Sequence, residues 1–284
     1  MRLNDVLLLM RPYQWYKNLL VFIAVIFSRH LSDAHDMIFS VLGFVSLCAI
    51  SSAVYVCNDI IDRKKDRENP EKKTRPIAAG RVGIPFASVL MAVLLVFGLF
   101  LGYYLSFYFM LLGFALFGLS LLYSVFLKDI LFADIITISA NFVIRAISGA
   151  VIINVYVSSW LVVGVFFFAM YLVIGKRYAE LNFLKDSAAK HRSTLGGYSK
   201  DMMNSLFSIF LSVLMVVFAI FSFSSENKNL IWTMPIFVYL LLRYYYIILS
   251  GSAIARHPQK ILRDKPTIIA SVIFIVLTVI LMMW

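Results

Sequence analysis

Apolar stretches long enough to cross a bilayer recur along this chain from Met37 to Trp284. A helix needs about 20 such residues to span the hydrocarbon core. Of 284 residues, 62% are hydrophobic and only 14% charged, so a water-soluble globule would have nowhere to put its apolar surface. The alternation expected of barrel strands is absent, which leaves helices. The chain is therefore expected to be all-α, a polytopic membrane protein forming one integral-membrane domain over 1–284.

Nine spans are expected, at about 19–27, 37–57, 86–104, 107–127, 134–153, 160–175, 203–223, 230–250 and 267–284. The first has the shortest apolar core, which Trp15 and Tyr16 extend toward the headgroups as interfacial residues. The run from Phe86 to Leu127 is about twice one span and must turn as a hairpin near Leu105 and Ser106. The same logic breaks Asp134–Gly175 between Asn154 and Ser159. The N-terminal stretch MRLNDVLLLMRPYQWYKN shows no small-residue cleavage site and reads as a cytoplasmic lead-in rather than a removed signal peptide.

Lysine and arginine set the orientation. With the N-terminus inside, the cytoplasmic segments collect 22 of the 26 basic residues, and only Arg29 and Lys228 fall on the other side. This asymmetry accounts for the net charge of +11 without nucleic acid. The expected location is the inner (plasma) membrane. Two long loops, 58–85 and 176–202, lie on the cytoplasmic face and mark it as the working face.

The sharpest feature is Asn58-Asp59-Ile60-Ile61-Asp62-Arg63-Lys64-Lys65-Asp66, where the second span leaves the membrane. If the helix continues outward, Asp59, Asp62 and Asp66 stand at i, i+3 and i+7 along one face. Three carboxylates so close repel one another unless a cation intervenes. Hard oxygen donors suit Mg²⁺, which bridges carboxylates to substrate phosphates. The competing reading is a solvated juxtamembrane helix balanced by Arg63, Lys64 and Lys65. The loop continues through Lys72, Lys73 and Arg75, which either hold a phosphorylated substrate or serve as ordinary positive-inside charge.

Asn58 to Asp66 resembles the NDxxDxxxD signature of the UbiA superfamily of intramembrane prenyltransferases, and the resemblance extends over essentially the whole chain. Within it the chain looks most like the decaprenyl-phosphate phosphoribosyltransferase branch. That likeness rests on Arg11-Pro12-Tyr13-Gln14-Trp15-Tyr16-Lys17-Asn18, Arg75 to Gly80, Tyr123-Ser124 with Leu127-Lys128, Phe142 to Gly149, and Gly175 to Leu181. The second motif typical of aromatic prenyltransferases, DxxxD, is not intact, because Asp129 and Asp134 are five apart. This departure favours the phosphoribosyl branch and puts a second metal site in question.

The resemblance implies a nine-helix bundle that transfers 5-phosphoribosyl from phosphoribosyl pyrophosphate to a polyprenyl phosphate. A prenyl transfer from prenyl pyrophosphate to an aromatic or other small acceptor is the alternative. A carrier or transporter, the third reading, lacks the inverted repeat and the mid-membrane broken helices it would need. The implied metal is Mg²⁺ on Asp59, Asp62 and Asp66, with Lys128 and Arg145 acting at the reacting phosphates. Lys17, Asn58, Lys72, Lys73, Arg75, Tyr123, Asp134, Lys176, Arg177 and Glu180 are the implied substrate-binding set.

The residues themselves leave several of these roles open. Arg145 lies about 16 Å along the fifth span from Asp134 and points either into a polar cavity or to an internal salt bridge. Lys176 and Glu180 also read as a helical i, i+4 pair. Lys17 serves equally as a membrane anchor. Arg243 reads as structural, Asp264 as local charge balance, and His30, His35, His191 and His257 carry no role. Cys48 and Cys57 read as inert thiols. A homo-oligomer is compatible with the sequence.

Overall fold

The computed structural model describes residues 3–184, 193–225, 228–250, 261 and 263–283. His191, His257, Trp284 and three basic residues of the expected 176–202 loop, Lys185, Lys190 and Arg192, lie outside them. Among the described residues every regular element is helical. Eleven α-helices lie among them: α1 (Leu3–Met10), α2 (Phe22–Phe27), α3 (Ala34–Ile61), α4 (Arg63–Glu68), α5 (Ile84–Leu105), α6 (Phe107–Val125), α7 (Ala133–Ile152), α8 (Ser159–Leu184), α9 (Lys200–Ser224), α10 (Met234–Leu249) and α11 (Lys265–Met283).

Eight helical stretches among the described residues are long and apolar enough to cross a membrane, which makes this a multi-pass membrane protein. The expected first span is not one of them. Residues 12–27 form a ten-residue 3-10 helix, Pro12–Val21, followed by the six-residue α2. The two expected breaks are where the sequence put them. Ser106, extended at φ −167°, separates α5 from α6, and α7 and α8 are separated by 153–158.

The helix ends outrun the apolar segments because capping sets them. Asp33 caps α3 by accepting from the backbone N–H groups of His35 (2.8 Å) and Asp36 (3.2 Å), four residues before the expected span begins at Met37. Ser199 accepts from the Met202 N–H and starts α9. α8 continues past Gly175 to Leu184, so Lys176, Arg177 and Glu180 lie on a helix, not in the loop expected there.

The chain divides into two compact units, 1–127 with 144–156 and 128–143 with 157–284. In the first, α3 packs closely on α5 through small residues: the Ser46 hydroxyl donates to the Gly98 carbonyl at 2.7 Å. Gly149 is required there, since a Cβ would come within 1.9 Å of the Val21 carbonyl oxygen. On α5, Val89, Val93, Val96, Phe97 and Phe100 are exposed along one helical face, as lipid contact demands.

The second unit is built on aromatics. Tyr171 stacks on Phe207 with ring centroids 4.5 Å apart, and both are buried. The phenols are satisfied by main chain, Tyr171 donating to the Leu241 carbonyl (2.7 Å) and Tyr244 to the Leu172 carbonyl (3.0 Å). Arg243 and Asp264 form a two-bond ion pair at 2.7 and 3.0 Å, the structural role both were expected to have. Asp264 also caps α11 by accepting from Thr267.

Candidate active site

α3 ends at Ile61, Asp62 is its C-terminal cap, and α4 restarts at Arg63. Hydrogen bonding nevertheless runs on through the break: the Asp62 N–H reaches the Asn58 carbonyl (2.9 Å) and the Asp66 N–H reaches that of Asp62 (2.8 Å). The expectation of three carboxylates on one unbroken helical face is therefore corrected. Asp59 and Asp66 are both buried at 2% exposure, while Asp62 is half-buried.

The buried pair converges on one nitrogen. Arg75 Nη1 donates to Asp59 Oδ1 at 3.1 Å and to Asp66 Oδ2 at 2.8 Å. Asp59 Oδ1 also accepts from Arg11 Nη2. Arg75, one of the residues expected either to hold a substrate phosphate or to serve as positive-inside charge, is ion-paired with both buried carboxylates of the motif. Arg11 is a residue the sequence reading left without a role. It adopts a left-handed φ of 52° between α1 and the 3-10 helix, and its guanidinium stacks over Tyr55 at 5.1 Å.

The segment carrying Arg75 is folded by its turn chemistry. The Asn69 side chain accepts from the Glu71 N–H, and the Lys72 and Lys73 N–H groups return to the Asn69 carbonyl. Gly80, with φ at 72°, lets the chain reverse so that Arg81 N–H reaches the Pro76 carbonyl. Lys73 is exposed and Lys72 half-buried on this turn. Beside the motif, Ser124 donates to the Asn58 side-chain oxygen, and half-buried Tyr123 precedes it.

Arg145 is buried in the first unit. Its Nε donates to the Asn18 side-chain oxygen at 2.8 Å, and Nη2 lies 3.4 Å from the Ser51 hydroxyl. Both of these partners are neutral side chains. Burial, then the positive charges of Arg145 and Arg11, push the Lys17 ammonium down to about 8.

In the second unit Asp134 is fully buried, accepting from Arg177 Nε at 3.1 Å and from the Tyr198 hydroxyl at 2.8 Å. Arg177 Nη1 donates to Glu180 Oε2 at 2.8 Å, and Lys176 lies 3.7 Å from Glu180. Burial and the hydrogen bond to Asp134 push the Tyr198 phenol up, which keeps it a donor. Lys128 is half-buried in a short 3-10 turn, Leu127–Asp129. Asp134, Lys176, Arg177 and Glu180 are thus one network, to which Tyr198 is the addition that sequence gave no means to see.

Among the described residues, the one group of three whose carboxylate and imidazole atoms all lie within 4.8 Å of one another is Asp33, His35 and Asp36, at the start of α3. Asp59, Asp62 and Asp66 do not draw that close together. Both cysteines are free thiols, as expected.

Comparison with known proteins matches residues 19–260 to the UbiA prenyltransferase family. A protein of Mycolicibacterium smegmatis named decaprenyl-phosphate phosphoribosyltransferase is 31% identical over 272 residues, covering 90% of this chain and 85% of the relative. One of the same name from Mycobacterium tuberculosis is 31% identical over 264 residues, covering 90% and 86%. Among solved structures, a UbiA homolog from Archaeoglobus fulgidus bound to DMAPP and Mg²⁺ superposes with a TM-score of 0.78 at 21% identity, covering 98% of this chain and 99% of that one.

Proposed function

This chain belongs to the UbiA prenyltransferase family and is a membrane transferase; from that premise we propose that it moves the 5-phosphoribosyl group of phosphoribosyl pyrophosphate onto a polyprenyl phosphate such as decaprenyl phosphate. The observation that carries the choice of substrate is the likeness to decaprenyl-phosphate phosphoribosyltransferases along 90% of the chain.

The chemistry follows from charge. The bond from ribose C1 to the pyrophosphate oxygen breaks, the leaving group keeps the electron pair, and a lipid phosphate oxygen forms the new bond to C1. The lipid phosphate is already anionic and needs no strong base, so positioning dominates. The donor set fits Mg²⁺: Asp59 and Asp66 are buried carboxylates aimed at one cation position, and Asp62 stands between them in the chain. Bound there, Mg²⁺ would neutralise the departing pyrophosphate.

The chain's own cations have separate tasks in this proposal. In the first unit Arg145 and Lys17 bind anionic substrate oxygens, with Arg145 oriented by Asn18 and Ser51. Asn58 and Tyr123 line the motif, and Lys72 and Lys73 guide the donor phosphates. In the second unit Lys128 and Lys176 bind phosphate, while Asp134, Arg177 and Glu180 fix the orientation of Lys176's helix end. The motif faces the cytoplasm of the inner (plasma) membrane, a placement supported by the 22 basic residues assigned to that side.

Donor binding tests this reading. With Mg²⁺ present, phosphoribosyl pyrophosphate should raise the melting temperature of the detergent-solubilised protein more than pyrophosphate does. Stabilisation by prenyl pyrophosphate alone would select the alternative, prenyl transfer to a small acceptor.

A further inference from the structure

Arg11 and Arg75 approach the acidic motif from opposite flanks, 48 residues before Asp59 and 16 after it. They are nevertheless mounted together. Arg11 follows α1, and Arg75 opens the 75–82 turn. Asp5 of α1 is ion-paired to Arg81 at 2.8 Å, and Leu9 of α1 is buried against Val56, Ile77, Val82 and Ala87. One clamp therefore carries both guanidiniums onto one carboxylate oxygen, Asp59 Oδ1, with Arg75 reaching on to Asp66.

The two guanidiniums balance the charges of Asp59 and Asp66, so a free divalent ion meets a carboxylate pair that is already neutralised. Mg²⁺ takes ligand oxygens at about 2.0–2.1 Å, and the position where Asp59 Oδ1 and Asp66 Oδ2 converge is held by Arg75 Nη1, so an ion can bridge these two oxygens only once that guanidinium has moved. Displacing the arginines without giving them a new anion leaves two partly buried cations unpaired, which is unfavourable. Pyrophosphate supplies that anion, in a shape that suits the guanidinium fork.

We propose that Arg11 and Arg75 form an exchangeable counter-ion clamp, which releases Asp59 and Asp66 to Mg²⁺ only as the two guanidiniums pass to the pyrophosphate group of the donor. The inference rests on the metal assignment above, but not on whether the donor carries phosphoribose or a prenyl chain. Metal and pyrophosphate then bind cooperatively, and by linkage each strengthens the other by the same factor.

Isothermal titration of the full chain in detergent, using Mg²⁺ and inorganic pyrophosphate, tests the clamp. In the wild type, saturating pyrophosphate should tighten Mg²⁺ binding at least about tenfold. Arg11→Gln should bind Mg²⁺ alone about tenfold more tightly than the wild type and lose most of the coupling. A merely structural arginine would weaken binding under both conditions. Arg75→Lys, which keeps the charge but loses the fork, should also reduce the coupling and serves if Arg11→Gln fails to fold. Equal Mg²⁺ affinity with and without pyrophosphate in the wild type would overturn the clamp. So would an Arg11→Gln protein that binds Mg²⁺ alone no better than the wild type. Failure of Mg²⁺ to bind any of the three proteins even with pyrophosphate would instead bring down the metal assignment, and the clamp with it.

Discussion

Arg177→Met should be the most destabilising single change in the second unit's polar network. The Arg177 side chain is 3% exposed and its partner Asp134 is 0% exposed. The substitution keeps the apolar stem but removes the Arg177 guanidinium from a buried carboxylate, which keeps its hydrogen bond from the Tyr198 hydroxyl. Breaking a buried pair in this way costs about 3–5 kcal/mol. At roughly 2 °C per kcal/mol for a chain of this size, thermal unfolding in detergent should fall by about 6–10 °C. Glu180 suffers less, because Lys176 stays 3.7 Å away. The double variant Arg177→Met with Asp134→Asn removes the stranded charge and should recover a substantial part of the loss. The reasoning is refuted if the two effects simply add. It is refuted as well if Arg177→Met leaves the melting temperature within about 2 °C of wild type while activity collapses, because Arg177 would then be binding substrate rather than holding the helix end.

Asp59→Asn should lower Mg²⁺-dependent turnover at least about a hundredfold with expression and folding intact, read by product formation against Mg²⁺ concentration. Gly149→Ala forces a Cβ onto the Val21 carbonyl and should cost more than about 3 kcal/mol, seen as lost folded yield or a large drop in melting temperature. Asp264 is held down from 3.8 to about 2, first by its hydrogen bond from Arg243. Its contribution to stability is thus present above pH 3.8 and lost as pH falls toward 2; Asp264→Asn should flatten melting temperature against pH in that window.

The apolar lengths made the membrane class, the hairpin at Ser106 and the break before Ser159 legible, because bilayer thickness is a hard limit. They misplaced helix ends. α3 begins at Asp33's cap and α8 carries Lys176 to Leu184, and neither end depends on hydropathy. The acidic motif announced itself by spacing, and the i, i+4 partnership of Lys176 with Glu180 did the same. Arg11 did not, because a basic residue ahead of Tyr and Trp looks like an interfacial anchor until the fold brings it to Asp59. Tyr198 lies 64 residues from Asp134, a pairing that no local pattern encodes. The capture of Arg75 by carboxylates was hidden for a related reason: sequence shows which charges are near, but not which of them a fold has already neutralised.

Product labelling tests phosphoribosyl transfer to a lipid phosphate most directly. Membranes containing the protein are incubated with Mg²⁺, labelled phosphoribosyl pyrophosphate and polyprenyl phosphate, beside a parallel reaction with labelled prenyl pyrophosphate and 4-hydroxybenzoate. Phosphoribosyl transfer should give a labelled lipid only from the first pair, absent with Asp59→Asn. A labelled product only from the second pair would contradict it.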